Sequence, residues 1–538
     1  MKSYSRRKFI KNAALSPLGV SATKKVFAQS DNQFDVVVAG AGHNSLITAG
    51  YLVKAGFRVL VLEGRPTIGG GCKTHEVCLP GFKSDLCSSV HGGIQSNPVL
   101  RDNELNLFSY GLEYIDPDPI MHFQAVDGQH ITVWKDENRT YEEYAKLNKT
   151  DAETFRRTLS EYRNYRNGLV GGSYGPSQEV WNRRFAMSGY DLVRELFIDQ
   201  RIRAFHLAVG HFGATPASIP GTGNQAFTAF GHQIGGRLMP KGGSGVLTQA
   251  LGRMIEDHGG VILTNMPVSQ LIIENDRCVG VECADGSKFY GNKAVVSTIH
   301  VKHLIDMAPM ELWGDEFTTG VDLLRPEHAM FAFHYALSEA PAYPLLSGGE
   351  IAPAESALLG SPERILRLNY DEGMGEVNVE GMPLQIVVPS IADPERAPAG
   401  YHTLKLEGTL PYGLKEGPEH WDTIKQSVAD QVLNYFREFA PNITDDKILA
   451  EFHQSPLDIE RMNPAMWRGS VHALAYGPAQ SGSNRPVSGW GNYRMPINGL
   501  YQTGGCTAPG GSITGRPGRN CARELLNDLG SSIESAIS

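Results

Sequence analysis

Seven cysteines in 538 residues exclude a small disulfide scaffold, and they argue against dithiol chemistry: no C-x-x-C or C-x4-C stands beside a nucleotide-binding segment, and Cys278 and Cys283, five apart along what reads as a strand, are expected on opposite faces. They read as free thiols. Positive charge is also in the minority: 49 Lys+Arg against 58 Asp+Glu leave a formal charge of −9, which argues against a nucleic-acid partner. No apolar run approaches the ~18 residues of a membrane-spanning helix, so any membrane contact is expected to be peripheral. No H-E-x-x-H, facial carboxylate pair or close Cys/His cluster occurs, and no metal is expected. There is no internal repeat. What remains is a chain with 41% hydrophobic residues and 60 glycines, the composition of a packed globular protein long enough for more than one domain.

The first thirty residues carry an address. Ser5-Arg6-Arg7-Lys8-Phe9-Ile10-Lys11 precedes a modest apolar stretch from Ala13 to Ala22, interrupted by Ser16, Pro17 and Gly19, and a small-residue cleavage site follows at about Ala28. This order is that of a twin-arginine signal peptide, and it predicts export of a folded, cofactor-loaded protein by the twin-arginine machinery into a bacterial periplasm.

Immediately behind it, Asp35-Val36-Val37-Val38-Ala39 reads as a strand buried on both faces, breaking at Gly40-Ala41-Gly42-His43-Asn44-Ser45 into a helix. Gly40 permits the tight turn, Gly42 admits a pyrophosphate against the backbone, and the helix N-terminus offers unpaired N–H groups to phosphate. Ser45 replaces the third glycine and is small enough for helix–strand packing. His43 and Asn44 sit beside the same turn, His43 holding the loop. After a second strand, Arg58–Leu62, Glu63 stands where an acid accepts from a ribose, which argues against a 2′-phosphorylated nucleotide. Gly64, Arg65, Gly69, Gly70 and Gly71 then form a second glycine cluster suited to cover a pyrophosphate, which favours FAD over NAD. Far downstream, Gly504-Gly505 follows another short strand, and Gly511-Ser512-Ile513 opens a terminal helix expected to meet the flavin. No other G-x-G-x-x-G follows a strand, so no separate NAD(P) domain is expected.

Further segments carry a likeness to a known family: I-G-G-G-C-K-T-H-E at 68–76, L-P-G-F at 79–82, P-K-G-G-S-G-V-L-T-Q-A-L at 240–251, V-V-S-T at 295–298, Y-R-M-P-I-N-G-L-Y at 493–501 and P-G-G-S-I-T-G-R-P-G-R-N at 509–520. Together they resemble the phytoene desaturase-like branch of the amine-oxidase-type flavoproteins, within it the group of pyridine nucleotide-disulfide oxidoreductase domain-containing protein 2 and its bacterial relatives. Gly71 stands where amine oxidases of the superfamily usually carry arginine, which moves the reading away from amine oxidation. The resemblance implies an α/β, two-domain architecture: a Rossmann-type FAD-binding domain assembled from 31–100, 241–300 and 461–530, with a mixed sheet/helix substrate domain inserted as 101–240 and 301–460, and a tail at 531–538. It implies that Val268 meets the adenine through its backbone.

It also implies a hydrophobic tunnel against the flavin, with His206, His211, Phe212, Phe227, Phe230, His232, Phe331, Phe333, His334 and Tyr335 as wall candidates. His472, Arg485 and Cys506 are the polar catalytic candidates. The expected activity is oxidation or dehydrogenation of an apolar, unsaturated or aromatic small molecule at flavin N5, with oxygen or a quinone as electron acceptor. Redox-neutral double-bond isomerisation and a flavin-stabilised, non-enzymatic scaffold are the alternatives. Oligomeric state is left open by the residues.

Overall fold

The computed structural model describes residues 32–212 and 215–538; the export signal read at 1–30 lies outside them. Seven strands form the first sheet, in the order Val268–Glu274, Arg277–Cys283, Lys288–Ser297, Gln33–Ala39, Val59–Leu62, Val261–Leu263, with Leu500–Gln502 added to Lys288–Ser297. Gln33–Ala39 is parallel to both neighbours, and its Val36 and Val38 enter one apolar cluster while Val37 enters another. A strand covered on both faces is selected as a continuous β-branched run rather than an alternating one. The register sets Ala39 beside Leu62 and Ser297, Leu62 beside Leu263, and Ser297 beside Gln502. All these strands therefore end at one edge, and the loops that leave them, at Gly40, Glu63, Thr298 and Thr503, converge there. Ligands of open α/β sheets bind outside that carboxyl edge.

Helix His43–Lys54 starts at Gly42 and buries Leu46, Ala49, Gly50 and Val53; Gly56, at φ 85°, turns the chain toward the next strand. Its partner is helix Arg516–Asp528, where Gly518 packs against the carbonyl of Asn44 so closely that a Cβ would fall 2.3 Å from its oxygen. The hairpin at Asn275-Asp276 has both residues in the left-handed region, φ 50° and 58°, as a two-residue turn requires. Cys278 and Cys283, five apart and so expected on opposite faces, enter the same apolar cluster with Val281, because a register shift opposite Ile272/Ile273 reverses the alternation between them. All seven cysteines are free.

The second sheet runs Ile448–Gln454, Met330–Leu337, His402–Thr409, Leu384–Val387, Glu355–Leu358, Met121–Gln124, His130–Val133. One face packs on helix Trp421–Arg437 through Phe331, Phe333, Leu404, Leu406, Val432 and Phe436. Charged helices Glu137–Leu147 and Lys149–Arg166 present polar residues outward but bury Tyr144 and Phe155, stacked at 4.5 Å, in a separate aromatic core with Phe197, Phe205, Phe227 and Phe230. Among the described residues no helix is long and apolar enough to cross a membrane.

Burial holds several histidines neutral. Desolvation pulls His122, His206 and His211 down to about 4 and His91, His300 and His334 to about 3. Their unfolded values lie near 6.5, so between pH 6.5 and 4 the unfolded chain binds more protons and stability falls as pH falls. By pH 4 each group costs on the order of 3 kcal/mol, at about 1.4 kcal/mol per pH unit below its unfolded value, so together they are comparable with the ~5–15 kcal/mol of a typical fold. Acid unfolding followed by circular dichroism is expected to finish above pH 4; a protein still folded at pH 4 would contradict this.

Candidate functional site

At the carboxyl edge of the first sheet opens a cavity of about 1130 Å³ that continues to the second sheet. Its near wall is made of Gly40, Gly42, His43, Asn44, Glu63, Gly64, Arg65, Gly70, Gly71, Val268, Gly504, Gly505, Gly511, Ser512 and Ile513. Two glycines show what this wall is shaped for. Gly40 is at φ 102° and a Cβ there would lie 2.3 Å from the Thr298 methyl, so its need is internal to the fold. Gly42 has φ −75° and ψ 166°, open to any residue, and a Cβ there would meet no protein atom within 4 Å. The missing side chain at Gly42 serves whatever enters the cavity, in front of the unpaired first-turn N–H groups of helix His43–Lys54.

Glu63 is fixed at the end of its strand: one carboxylate oxygen accepts from the Ala41 N–H (3.0 Å) and the other from the Arg65 N–H (3.0 Å), leaving lone pairs for a ribose. Arg65 donates to the carbonyls of Met462 and Arg461, tying this loop to a segment far downstream. Gly69 and Ser45 are set behind the wall. Gly69, at φ 130°, donates to the Ala41 carbonyl (2.8 Å) and so lays Gly70 across Gly42; the Ser45 hydroxyl folds back on the Gly42 carbonyl (3.0 Å). Burial lowers His43 to about 4, and its Nε2 has no protein partner. A glycine turn, an unpaired helix start and a fixed acid fit a dinucleotide such as FAD.

The far wall is mixed. His211, Phe212 and His232 line it, whereas His206, Phe227 and Phe230 pack in the aromatic core, Phe331, Phe333 and Tyr335 in the core beneath the second sheet, and His334 against Gln454. Sequence reasoning missed the polar lining contributed by Lys73, Thr215, Gln225, Gln385, Glu407 and Thr409. Burial lowers the Lys73 ammonium and raises the Glu407 carboxyl, the latter partly offset by Lys405 at 2.7 Å.

The three polar candidates separate. His472 is on the wall, and its surroundings fix it on both sides. The Glu327 carboxylate, fully buried, accepts from the His472 N–H (2.6 Å), its ring Nδ1 (3.0 Å) and the Ser470 hydroxyl (3.2 Å). Arg485 donates to the His472 carbonyl (2.7 Å), and Gly511 has no room for a Cβ beside the His472 Cα. Glu327, 145 residues away before strand Met330–Leu337, has no local signal and is found only through this contact.

Arg485 itself stands off the wall, wholly buried, donating to the carbonyls of His472, Leu474, Ala475, Gln480 and Gly505. It clamps backbone instead of facing a ligand. Arg485→Leu is expected to cost at least ~3 kcal/mol, since several buried carbonyls lose a charged donor at once; chemical denaturation measures this, and a loss below about 1 kcal/mol would refute the clamp. Cys506 is likewise off the wall, packed with Leu474 and Leu500, its thiol pushed up to about 11 by burial, which disfavours the reactive thiolate.

Residues 46–333 match the family described as flavin containing amine oxidoreductase. A limonene dehydrogenase polypeptide from Castellaniella defragrans is 26% identical over 93% of this chain and 96% of that protein. Prolycopene isomerase 2, chloroplastic, of an Oncidium hybrid cultivar is 23% identical over 96% of this chain and 88% of that protein. Among solved structures, an oxidoreductase from Methanosarcina mazei superposes with a TM-score of 0.59 at 18% identity, covering 92% of this chain and 100% of that one.

Proposed function

This chain belongs to the flavin-containing amine oxidoreductase family and is an FAD-dependent oxidoreductase of the phytoene desaturase-like kind, and from that premise we propose that it dehydrogenates a largely apolar, unsaturated or aromatic small molecule, with oxygen or a quinone taking the electrons. The observation that carries the reading is the continuity of one cavity from the glycine cradle to the second sheet, with His472 on its wall. Gly40, Gly42, Glu63, Val268, Gly504 and Gly511–Ile513 would hold the FAD, which supplies a two-electron hydride acceptor. The protein supplies orientation and a proton site. Because Nδ1 of His472 donates to Glu327, Nε2 is left with its lone pair and accepts a proton released from the substrate.

A dehydrogenase named among the relatives supports net oxidation; an isomerase named among them supports a second reading, a double-bond shift with no net electron transfer. Anaerobic addition of candidate substrates to the FAD-loaded protein separates the two. Bleaching of the flavin with a product two hydrogens lighter is expected. A product of unchanged mass formed without an acceptor would favour isomerisation, and a flavin that no binding ligand reduces or converts would sink both. The paired Arg6-Arg7 motif further places the enzyme, on our reading, in the periplasm, which fractionation of the native host checks.

A further inference from the structure

The expectation of an apolar tunnel leaves part of the far wall unexplained. His211 ends helix Gln200–His211, and its Nε2 is paired with the Thr409 hydroxyl (2.8 Å), but its Nδ1 has no partner. Thr215 follows four residues later, and its hydroxyl has no partner either. Gln225 lies against both: its Nε2 donates to the Thr215 carbonyl (2.7 Å), and a Cβ on Gly210, next to His211, would meet the Gln225 carbonyl at 2.9 Å. That bond fixes the orientation of the amide, so its Oε1 is the acceptor left over, and it too is unpartnered. All three residues are at least nine-tenths buried and line the cavity. Covering three such groups with hydrocarbon alone is unfavourable, since each would lose water without gaining a hydrogen bond.

We propose that His211, Thr215 and Gln225 form a hydroxyl-binding subsite, and that the substrate is an apolar skeleton carrying an alcohol rather than a pure hydrocarbon. A hydroxyl meets the set: it donates to Gln225 Oε1, which can only accept, and accepts from the Thr215 hydroxyl, while the neutral His211 ring offers either role. The one carboxyl on this stretch of wall, Glu407, is engaged by Lys405 and displaced toward its uncharged form, so the surroundings suit a neutral donor better than an ammonium. The assignment deepens the dehydrogenase reading by naming the substrate class, and rests on it for the site's purpose.

The test is equilibrium dialysis of the FAD-loaded protein under nitrogen against four probes that share one skeleton: geraniol, its methyl ether, 2,6-dimethyl-2,6-octadiene and geranylamine. Geraniol is expected to bind about tenfold tighter than the ether and the hydrocarbon, because only it brings a neutral donor. Thr215→Val breaks no internal hydrogen bond and keeps the shape of the side chain; in it, or in Gln225→Met, the advantage is expected to shrink to within about threefold. Equal binding of alcohol and hydrocarbon, no binding of geraniol, tighter binding of geranylamine, or an advantage unchanged in both variants would overturn the subsite. Dialysis does not read the flavin: alcohol selectivity without bleaching leaves the subsite standing and removes the dehydrogenase reading, whereas bleaching without selectivity does the reverse.

Discussion

Gly42→Val is expected to fold with wild-type stability and to be isolated colourless, its affinity for FAD reduced at least ~100-fold, the effect of obstructing backbone approach to a pyrophosphate. The backbone at Gly42 is in the extended region, and a Cβ there has no neighbour within 4 Å. The neighbouring control behaves oppositely. At Gly40, φ is 102° and Thr298 occupies the position of a Cβ, so Gly40→Val is expected to lose several kcal/mol of stability, combining left-handed strain of ~1–2 kcal/mol with a clash. Thermal unfolding of the apoproteins and retention of the visible flavin absorbance separate the two effects. A yellow, stable Gly42→Val protein would show that the pyrophosphate does not lie against this turn.

That contrast shows where the sequence is legible and where it stops. A both-faces-buried strand, a glycine turn, a helix and an acid are local, contiguous in the chain and dictated by backbone chemistry, so Gln33–Glu63 can be read residue by residue. The second sheet is assembled from strands as far apart as Met121–Gln124 and Ile448–Gln454, and its cavity face is chosen by packing. Phe331, Phe333 and Tyr335 are aromatic and central, yet they face the core, while Gln385, Glu407 and Thr409 of adjacent strands reach the cavity. The family resemblance put the aromatics on the wall. Alternation alone cannot say which face of a strand meets a ligand, since a one-residue phase error exchanges the two faces. Arg485 shows the same limit. Its position in the chain places it among flavin-site segments, but five carbonyls converge on it, and a group so fully engaged has no donor left for a ligand.

His472→Asn is expected to slow flavin reduction by substrate by about 10²–10⁴, the usual contribution of a positioned general base, while leaving FAD content and spectrum unchanged. Glu327→Gln is expected to lower it by about 10²: the amide keeps the volume and can still accept from the His472 backbone, but it lacks the charge that stabilises the protonated ring. A merely structural histidine would change FAD binding or stability and leave the reduction rate of the FAD-loaded protein intact. The argument for a base, despite the absence of any local motif, is geometric: a fully buried carboxylate accepts three hydrogen bonds, two of them from one residue. An isolated buried carboxylate is costly, and here its donors align a single imidazole at the cavity wall with the other nitrogen unencumbered. Unaltered reduction rates in both FAD-loaded variants would assign the proton to another group and reduce the Glu327–His472 pair to a brace for the Ser470–Ala473 turn.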